Sequence, residues 1–389
     1  MSKEIVIING ARTPFGHYAG TLKEVGAKKQ ATVAARAALE RCGVEPEMID
    51  HVVFGNAAQH TADAQYLARH IGLLVGIPIE TPALNLGRIC GSGLEAIVTA
   101  ARMIMLDEAE FVLAGGTESM SGMPYVIQGA RWGMGLGGGK IEDWLYLNFL
   151  DTYNNLTMPL TAEKLIERYK IPRKEQDEFA YRSHTLATKA RDEGRLAEEI
   201  VPVEVEGGLF EHDEHIRSDT TVEALSNLKP AFKKDGTITA GNACPISDGA
   251  AAVVVTHMEK AKEHGLKPLG KLVSWGAAGV DPDIMGIGPV PATRQALKKA
   301  KLSLEDIDLI EFNEAFAGQV LSCVRELGID MDKLNLNGGA IAIGHPTAAT
   351  GTRLVLTLLY EMRRQGKQFG LATMCIGGGQ GMAAIFEAV

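Results

Sequence analysis

Three stretches of this chain place reactive side chains among residues small enough to leave them accessible. Asn85 to Ala96 carries Cys90 in the turn Cys90-Gly91-Ser92-Gly93, followed by helix formers from Leu94 to Leu106. A thiol at a helix N-terminus faces unpaired N–H groups and partial positive charge, which predicts a lowered pKa and a nucleophilic thiolate. Gly91 and Gly93 have no side chains, which predicts close approach of a substrate to the sulfur. Gly338 to Pro346 puts His345 in a nearly side-chain-free segment, and Cys375 precedes Ile376-Gly377-Gly378-Gly379, a run of bare backbone donors able to form an oxyanion hole. Asn313 adds a carboxamide where a strand ends, in Asn313-Glu314-Ala315-Phe316-Ala317.

Each group alone has an ordinary reading. A cysteine before a helix packs as a small apolar residue, a histidine in a glycine-rich turn is structural, and an asparagine there caps the next helix. Together, two thiols, an imidazole, a carboxamide and free backbone donors are what acyl transfer through a thioester requires. A carbanion beside a thioester must be held as an enolate, and a thiol with a near-neutral pKa suits reversible proton transfer to it.

The elements that must position these groups alternate. Strands are read at Glu4–Asn9, Val52–Asn56, Ala83–Asn85 and Phe111–Gly116, with helices over Ala27–Cys42, stopped by Gly43, and over Ala64–Leu74. The texture changes from Ser119 to about Ala240. A Gly-, Met-, Trp- and Tyr-rich loop region is followed by the charged helical stretch Thr161–Arg195 and a polar tract, Val201–Asp219. Core texture returns at Ala250–Val255, with strands at Lys271–Trp275, Leu309–Asn313, Phe369–Cys375 and Met382–Glu387, and helices at Pro291–Ala300, Phe316–Leu327 and Gly351–Gln365. The alternation predicts an α/β core with a largely parallel sheet. The two halves echo each other in order and type: the Cys90 and His345 segments each run from a loop into a helix, which would set both at one cleft.

The 389 residues suffice for two or three domains, and 46% apolar with 22% charged residues is ordinary for a soluble globular protein. A net charge of −9 argues against a nucleic-acid partner, so an anionic ligand needs a local basic patch. Five scattered cysteines with no CxxC pair predict free thiols and a cytoplasmic setting, with neither disulfides nor zinc. No signal peptide is read at the N-terminus, and no apolar run approaches the ~18 residues of a membrane span. Gly133–Gly138 fits a dinucleotide-binding pattern by letter but follows no strand and opens no helix. His212-Asp213-Glu214-His215 reads as an acidic, solvated loop rather than a metal site.

From Ala11-Arg12-Thr13-Pro14 to the last glycine-rich motif, the chain resembles the thiolases, the group of acetyl-CoA acetyltransferases and 3-ketoacyl-CoA thiolases. Cys-x-Ser-Gly, Asn-Glu-Ala-Phe-Ala, Gly-His-Pro and Cys-Ile-Gly-Gly-Gly stand in family order and spacing. The resemblance implies duplicated core domains in an α-β-α-β-α layered sandwich with an inserted loop domain. The core halves would be 1–118, completed by about 245–270, and 271–389; the loop domain, 119–244, would cover the CoA and carry the contacts of a homotetramer, a dimer of dimers.

By position, the resemblance makes Cys90 the acyl-carrying nucleophile, His345 the base that takes its proton, and Cys375 the acid/base for the second acyl-CoA. Asn313 would hold a water that, with His345, binds the thioester oxygen. The N–H groups of Cys90 and Gly377 would form a second oxyanion hole. Arg217 would lie near the adenine nucleotide. Ala231, Phe232, Ala315 and Phe316 would line the pantetheine tunnel, with Cys244 and Ser247 beside it, and Met158 and Met285 would wall the acyl pocket. No metal and no cofactor are implied, since CoA is itself substrate and product.

The chain departs from the family pattern at Thr157, where short-chain biosynthetic members have His, at Cys244-Pro245 in place of Ser-Gly, and at Ala348 and Thr350 in place of Gly and Ser. The implied activity is acetyl-CoA C-acetyltransferase; the loss of His at 157 keeps a longer-chain 3-ketoacyl-CoA thiolase as the alternative. A non-catalytic acyl-CoA or lipid carrier is disfavoured by the intact reactive quartet, and a decarboxylating ketosynthase by Cys375.

Overall fold

A computed structural model describes residues 3–389. Its centre is a ten-stranded mixed sheet. The main strands are β1 (Ile5–Arg12), β2 (His51–Gly55), β3 (Ala83–Leu86), β4 (Val112–Ser119), β5 (Ser247–His257), β6 (Gly270–Gly279), β7 (Leu309–Phe312), β8 (Phe369–Ile376) and β9 (Gln380–Glu387). They lie in the order β7-β8-β9-β6-β1-β5-β4-β2-β3, and the short strand Gly16–His17 pairs with β5 off this path.

The expectation of a largely parallel sheet is corrected. Only the ends are parallel, β2 with β3 and β4, and β7 with β8. The middle is antiparallel. β8 and β9 are joined by the short turn Gly377–Gly379, which only antiparallel neighbours can use. β5 arrives after the inserted region and runs back between β1 and β4, so residues 247–257 complete the N-terminal half of the sheet. The halves join where Val6 pairs with Lys271 and Ile7 with Gly270.

Seven helices matter for the site: α1 (Ala27–Cys42), α2 (Ser92–Met105), α3 (Met158–Tyr169), α4 (Arg173–Asp192), α5 (Pro289–Ala300), α6 (Ala317–Leu327) and α7 (Thr347–Gln365). α1 ends as read, with Gly43 in the left-handed conformation at φ 63°. The helical stretch read over 161–195 is two helices, broken where Lys170 turns left-handed and Pro172 removes a donor.

α2 and α7 form the middle layer. Leu94, Ile97, Leu354 and Leu358 share one core with Val112 and Val253 from one half-sheet and with Ala372 and Phe386 from the other. α1 covers the outer face of the first half and α5 and α6 that of the second. The result is the five-layered α-β-α-β-α sandwich, duplicated about its central helices.

Residues 119–157 include two short hairpins, Tyr125–Ile127 with Ile141–Asp143 and Leu150–Asp151 with Leu156–Thr157. The solvated reading of 212–215 is corrected at two positions: Asp213 and His215 are buried. Asp213 accepts from Arg12 Nη1 and Nη2 at 2.6 and 2.9 Å and from the Phe15 N–H at 2.8 Å, while Arg12 Nε donates to Glu199 at 2.7 Å. This buried cluster fastens the inserted region to β1. Removing one partner would strand an uncompensated charge.

Candidate active site

Cys90 stands between β3 and α2, and His345 stands one residue before Pro346, which caps α7. The two junctions are equivalent in the two halves, as the sequence echo predicts. Backbone contact between α2 and α7 holds them together. A Cβ on Gly93 would lie 2.6 Å from the Ala348 carbonyl oxygen, and one on Gly351 would lie 2.3 Å from the Leu94 nitrogen. The bare faces of Gly91 and Gly93 therefore serve packing rather than substrate approach: a Cβ on Gly91 would strike Ile376 at 2.4 Å. Contact between Gly91 and Ile376 brings the end of β8 onto the Cys90 turn.

The turn is strained and pinned. Ile89 adopts φ 46°, an uncommon conformation for a β-branched residue. The Ser92 hydroxyl accepts from the Arg88 N–H at 2.9 Å and donates to the Ile89 carbonyl at 2.7 Å. Cys90 is left half-buried at the cleft, with the N–H groups of Gly377 and of Cys90 itself toward its sulfur.

The expected low thiol pKa is corrected. Burial pushes Cys90 up to about 11, and the two N–H groups offset this only in part. Burial, with Cys90, Cys323 and Cys244 nearby, raises Cys375 well above its ordinary value, so it too is a neutral thiol. Cys244 is raised by burial and then by Cys90.

His345 is buried, and burial followed by Arg353 pushes its pKa down to about 3, leaving a neutral imidazole. Its Nδ1 lies 2.6 Å from Thr350 Oγ1, which donates to the Pro346 carbonyl at 3.0 Å. Thr350 is thus the acceptor, the ring proton sits on Nδ1, and Nε2 carries the free lone pair. The departure from Ser at 350 keeps the hydroxyl this requires. Asn313 Nδ2 lies 3.4 Å from His345 Nε2, and Asn313 Oδ1 is buried with no partner among the described residues.

Two buried carboxylates that the sequence reading passed over hold this arrangement. Glu314 accepts from Ser183 Oγ at 2.6 Å, Asn335 Nδ2 at 2.8 Å and the Ile341 N–H at 3.1 Å, tying the Asn313 turn to the loop before His345. Glu118 accepts from Asn56 Nδ2, from the Ala57 and Ala58 N–H groups and from Thr347 Oγ1 at 2.7 Å. Glu314 stands inside the Asn-Glu-Ala-Phe-Ala motif, and that position was the available clue.

Met158, Met285, Ala315 and Phe316 pack in one apolar cluster with Cys375, and a Cβ on Gly377 would lie 3.1 Å from Met158 Sδ. Cys244 is half-buried, and its N–H donates to the Ala315 carbonyl at 3.0 Å. Arg217, Ala231 and Phe232 lie on exposed segments outside that cluster. The Ala231 N–H donates to the carbonyl of Ile238, which belongs to it. The Arg217 N–H donates to His184 Nδ1 at 3.2 Å. Ser247 departs from its expected role beside the substrate: it is fully buried, and its hydroxyl is engaged by the protein. Among the described residues, no cluster of His, Cys, Asp or Glu has the form of a metal site.

The arrangement offers a neutral imidazole in contact with a carboxamide, and two neutral thiols close enough to interact, one of them facing backbone N–H groups, which are groups that acyl transfer and carbon acid chemistry use. Residues 5–259 match the model of the thiolase N-terminal domain and residues 266–388 that of the thiolase C-terminal domain. The chain is similar to an acetyl-CoA acetyltransferase of Syntrophomonas wolfei, at 46% identity over all of both chains. It is similar to the mitochondrial 3-ketoacyl-CoA thiolase of Homo sapiens, at 47% identity over 98% of both. The crystal structure of human mitochondrial 3-ketoacyl-CoA thiolase in complex with CoA superposes with a TM-score of 0.98, at 47% identity, covering 100% of this chain and 98% of that one.

Proposed function

The chain belongs to the thiolase family and is an acyltransferase, and on that premise we propose that it interconverts acetyl-CoA and acetoacetyl-CoA through an acyl group on Cys90. His345 Nε2 takes the Cys90 proton as the sulfur attacks the thioester carbonyl of acetyl-CoA. The carbonyl oxygen takes the negative charge facing Asn313 and His345. CoA thiolate leaves, is protonated from His345, and acetyl-Cys90 remains.

Cys375 then passes its thiol proton to neutral His345 and, as the thiolate, removes a proton from the methyl group of a second acetyl-CoA. The enolate carbon attacks the acetyl-Cys90 carbonyl, whose oxygen is held by the Cys90 and Gly377 N–H groups. The carbon–carbon bond forms, the bond to Cys90 sulfur breaks, the departing thiolate takes the proton held on His345, and acetoacetyl-CoA departs. Thiolysis is the reverse. Both groups start neutral, so the proton passes from sulfur to imidazole as the sulfur attacks, without a free thiolate in the resting site. CoA enters as substrate and leaves as product, and the scheme calls for no cofactor.

The contact of Asn313 with His345 Nε2, at a cleft where the Gly377 N–H reaches toward the Cys90 sulfur, carries this reading. Radiolabelled acetyl-CoA tests it. Wild type and Cys375→Ala are expected to retain label on Cys90 and Cys90→Ala to retain none, while Cys375→Ala forms no acetoacetyl-CoA. Equal labelling of Cys90→Ala and wild type would remove the reading.

A longer-chain 3-ketoacyl-CoA thiolase is the second reading, favoured by Thr157, whose side chain caps nothing at the start of α3. Thiolysis rates from C4 upward separate the two. A cytoplasmic homotetramer is part of the proposal. Five free cysteines and the exposed apolar side chains Tyr125, Trp132, Leu136 and Ile141 of the inserted region support it. A sedimentation mass of one or two chains would remove the tetramer.

A further inference from the structure

We propose that Ser247 and His215 are positioning residues for His345, joined in a hydrogen-bond hub that ties the backbone of the base to two segments flanking the CoA path. The proposal rests on the thiolase reading above. The Ser247 hydroxyl accepts the His345 N–H at 3.0 Å and donates to the Pro245 carbonyl at 2.9 Å. Its remaining lone pair faces His215 Nε2 at 3.0 Å. The same Nε2 lies 3.2 Å from the Gly16 carbonyl, which can only accept. The four contacts are satisfied together when His215 Nε2 carries a proton, shared between the Ser247 hydroxyl oxygen and the Gly16 carbonyl, and the buried ring is neutral. Burial, which pushes His215 down to about 4, maintains that state.

The chain passes the hub only as glycine. Gly344 has φ 113°, and a Cβ there would lie 2.8 Å from Ser247 Oγ and 2.9 Å from His215 Cδ2. His345 is therefore gripped twice, its backbone N–H by Ser247 and its ring Nδ1 by Thr350, and Nε2 is left toward Asn313.

The hub joins three distant segments. His215 lies two residues from Asp213, which Arg12 clamps, and two from Arg217. Ser247 follows Cys244 by three residues. Movement of either segment as CoA seats would be passed to the His345 backbone. A misplaced base costs up to about 100-fold in rate.

Single-turnover acylation of Cys90 by acetyl-CoA tests this, with steady-state KM measured alongside. Ser247→Ala is expected to slow acylation about 10- to 100-fold, with KM changed by less than about threefold. His215→Leu should do the same, and His215→Gln, whose Nε2–H reaches the same acceptors, should recover most of the rate. A purely structural role would lower thermal stability in both His215 variants and leave their acylation rates equal. Wild-type acylation rates in Ser247→Ala, a change confined to KM, or equal rates in the two His215 variants would overturn the hub. If Ser247→Ala does not fold, the His215 pair decides. A wild-type chain that never acylates Cys90 removes the thiolase reading and the hub with it.

Discussion

Thr352 on α7 donates its hydroxyl to the carbonyl of Gly93 on α2 at 3.1 Å, fastening together the two helices whose N-terminal ends present His345 and Cys90. Cys90 and His345 stand just before the first turns of these helices, so the spacing of the helices bears on where the two groups stand.

Gly93→Ala would push a methyl group to 2.6 Å from the Ala348 carbonyl oxygen and 2.8 Å from the Thr352 nitrogen, both backbone atoms that cannot rotate away. Overpacking of this kind costs about 1–3 kcal/mol. A lower thermal midpoint together with slower acylation of Cys90 is expected. Loss of stability with an unchanged acylation rate would show that the helix spacing does not set the site.

Thr350→Val keeps the shape of the side chain and removes the acceptor of the His345 Nδ1–H. An unpaired buried N–H costs about 1–3 kcal/mol, enough to move the ring proton to Nε2 and block the base. Turnover should fall about 10- to 100-fold, each tenfold corresponding to about 1.4 kcal/mol, with KM little altered. Thr350→Ser should retain most of the activity, and similar rates for the two variants would contradict the assigned tautomer.

With Cys90 pushed up to about 11, its thiolate fraction grows tenfold with each pH unit below that value. Iodoacetamide labelling of Cys90, followed by peptide mass spectrometry, should accelerate about tenfold per unit between pH 7 and 9. A plateau below pH 8 would mean that the helix N-terminus outweighs burial after all.

His184 is buried, burial lowers its pKa to about 4, and its Nδ1 accepts from the Arg217 N–H. The unfolded chain binds a proton there below about 6.5 while the folded chain does not until about 4, so this contribution to stability is full above 6.5 and declines as pH falls toward 4. His184→Asn keeps an acceptor and removes the titration. Denaturant titrations at pH 7 and pH 5 should show wild type losing about 2 kcal/mol more than the variant. Equal losses would mean that His184 is protonated in the fold.

The reactive set was legible in the sequence because each member sits in a run of residues with few other uses. Glycines around Cys90, His345 and Cys375, and a strand ending at Asn313, are patterns that one linear stretch can carry. Strand and helix positions were legible for the same reason: Ala27–Cys42 stops at Gly43 because the signal is local. Burial was not. Whether Cys90 is a thiolate or a thiol depends on what covers it, and the Ile376 packing and the nearby thiols come from segments hundreds of residues away.

Sheet direction, the burial of Asp213 and His215 and the use of Ser247 were decided by tertiary structure for the same reason. A carboxylate at 213 looks solvated until Arg12, 201 positions earlier, is folded against it. The order of residues determined which groups this protein has to work with. Packing across the chain decided their charge, their tautomers and which of them face one another, because desolvation and hydrogen-bond pairing are properties of neighbours in space.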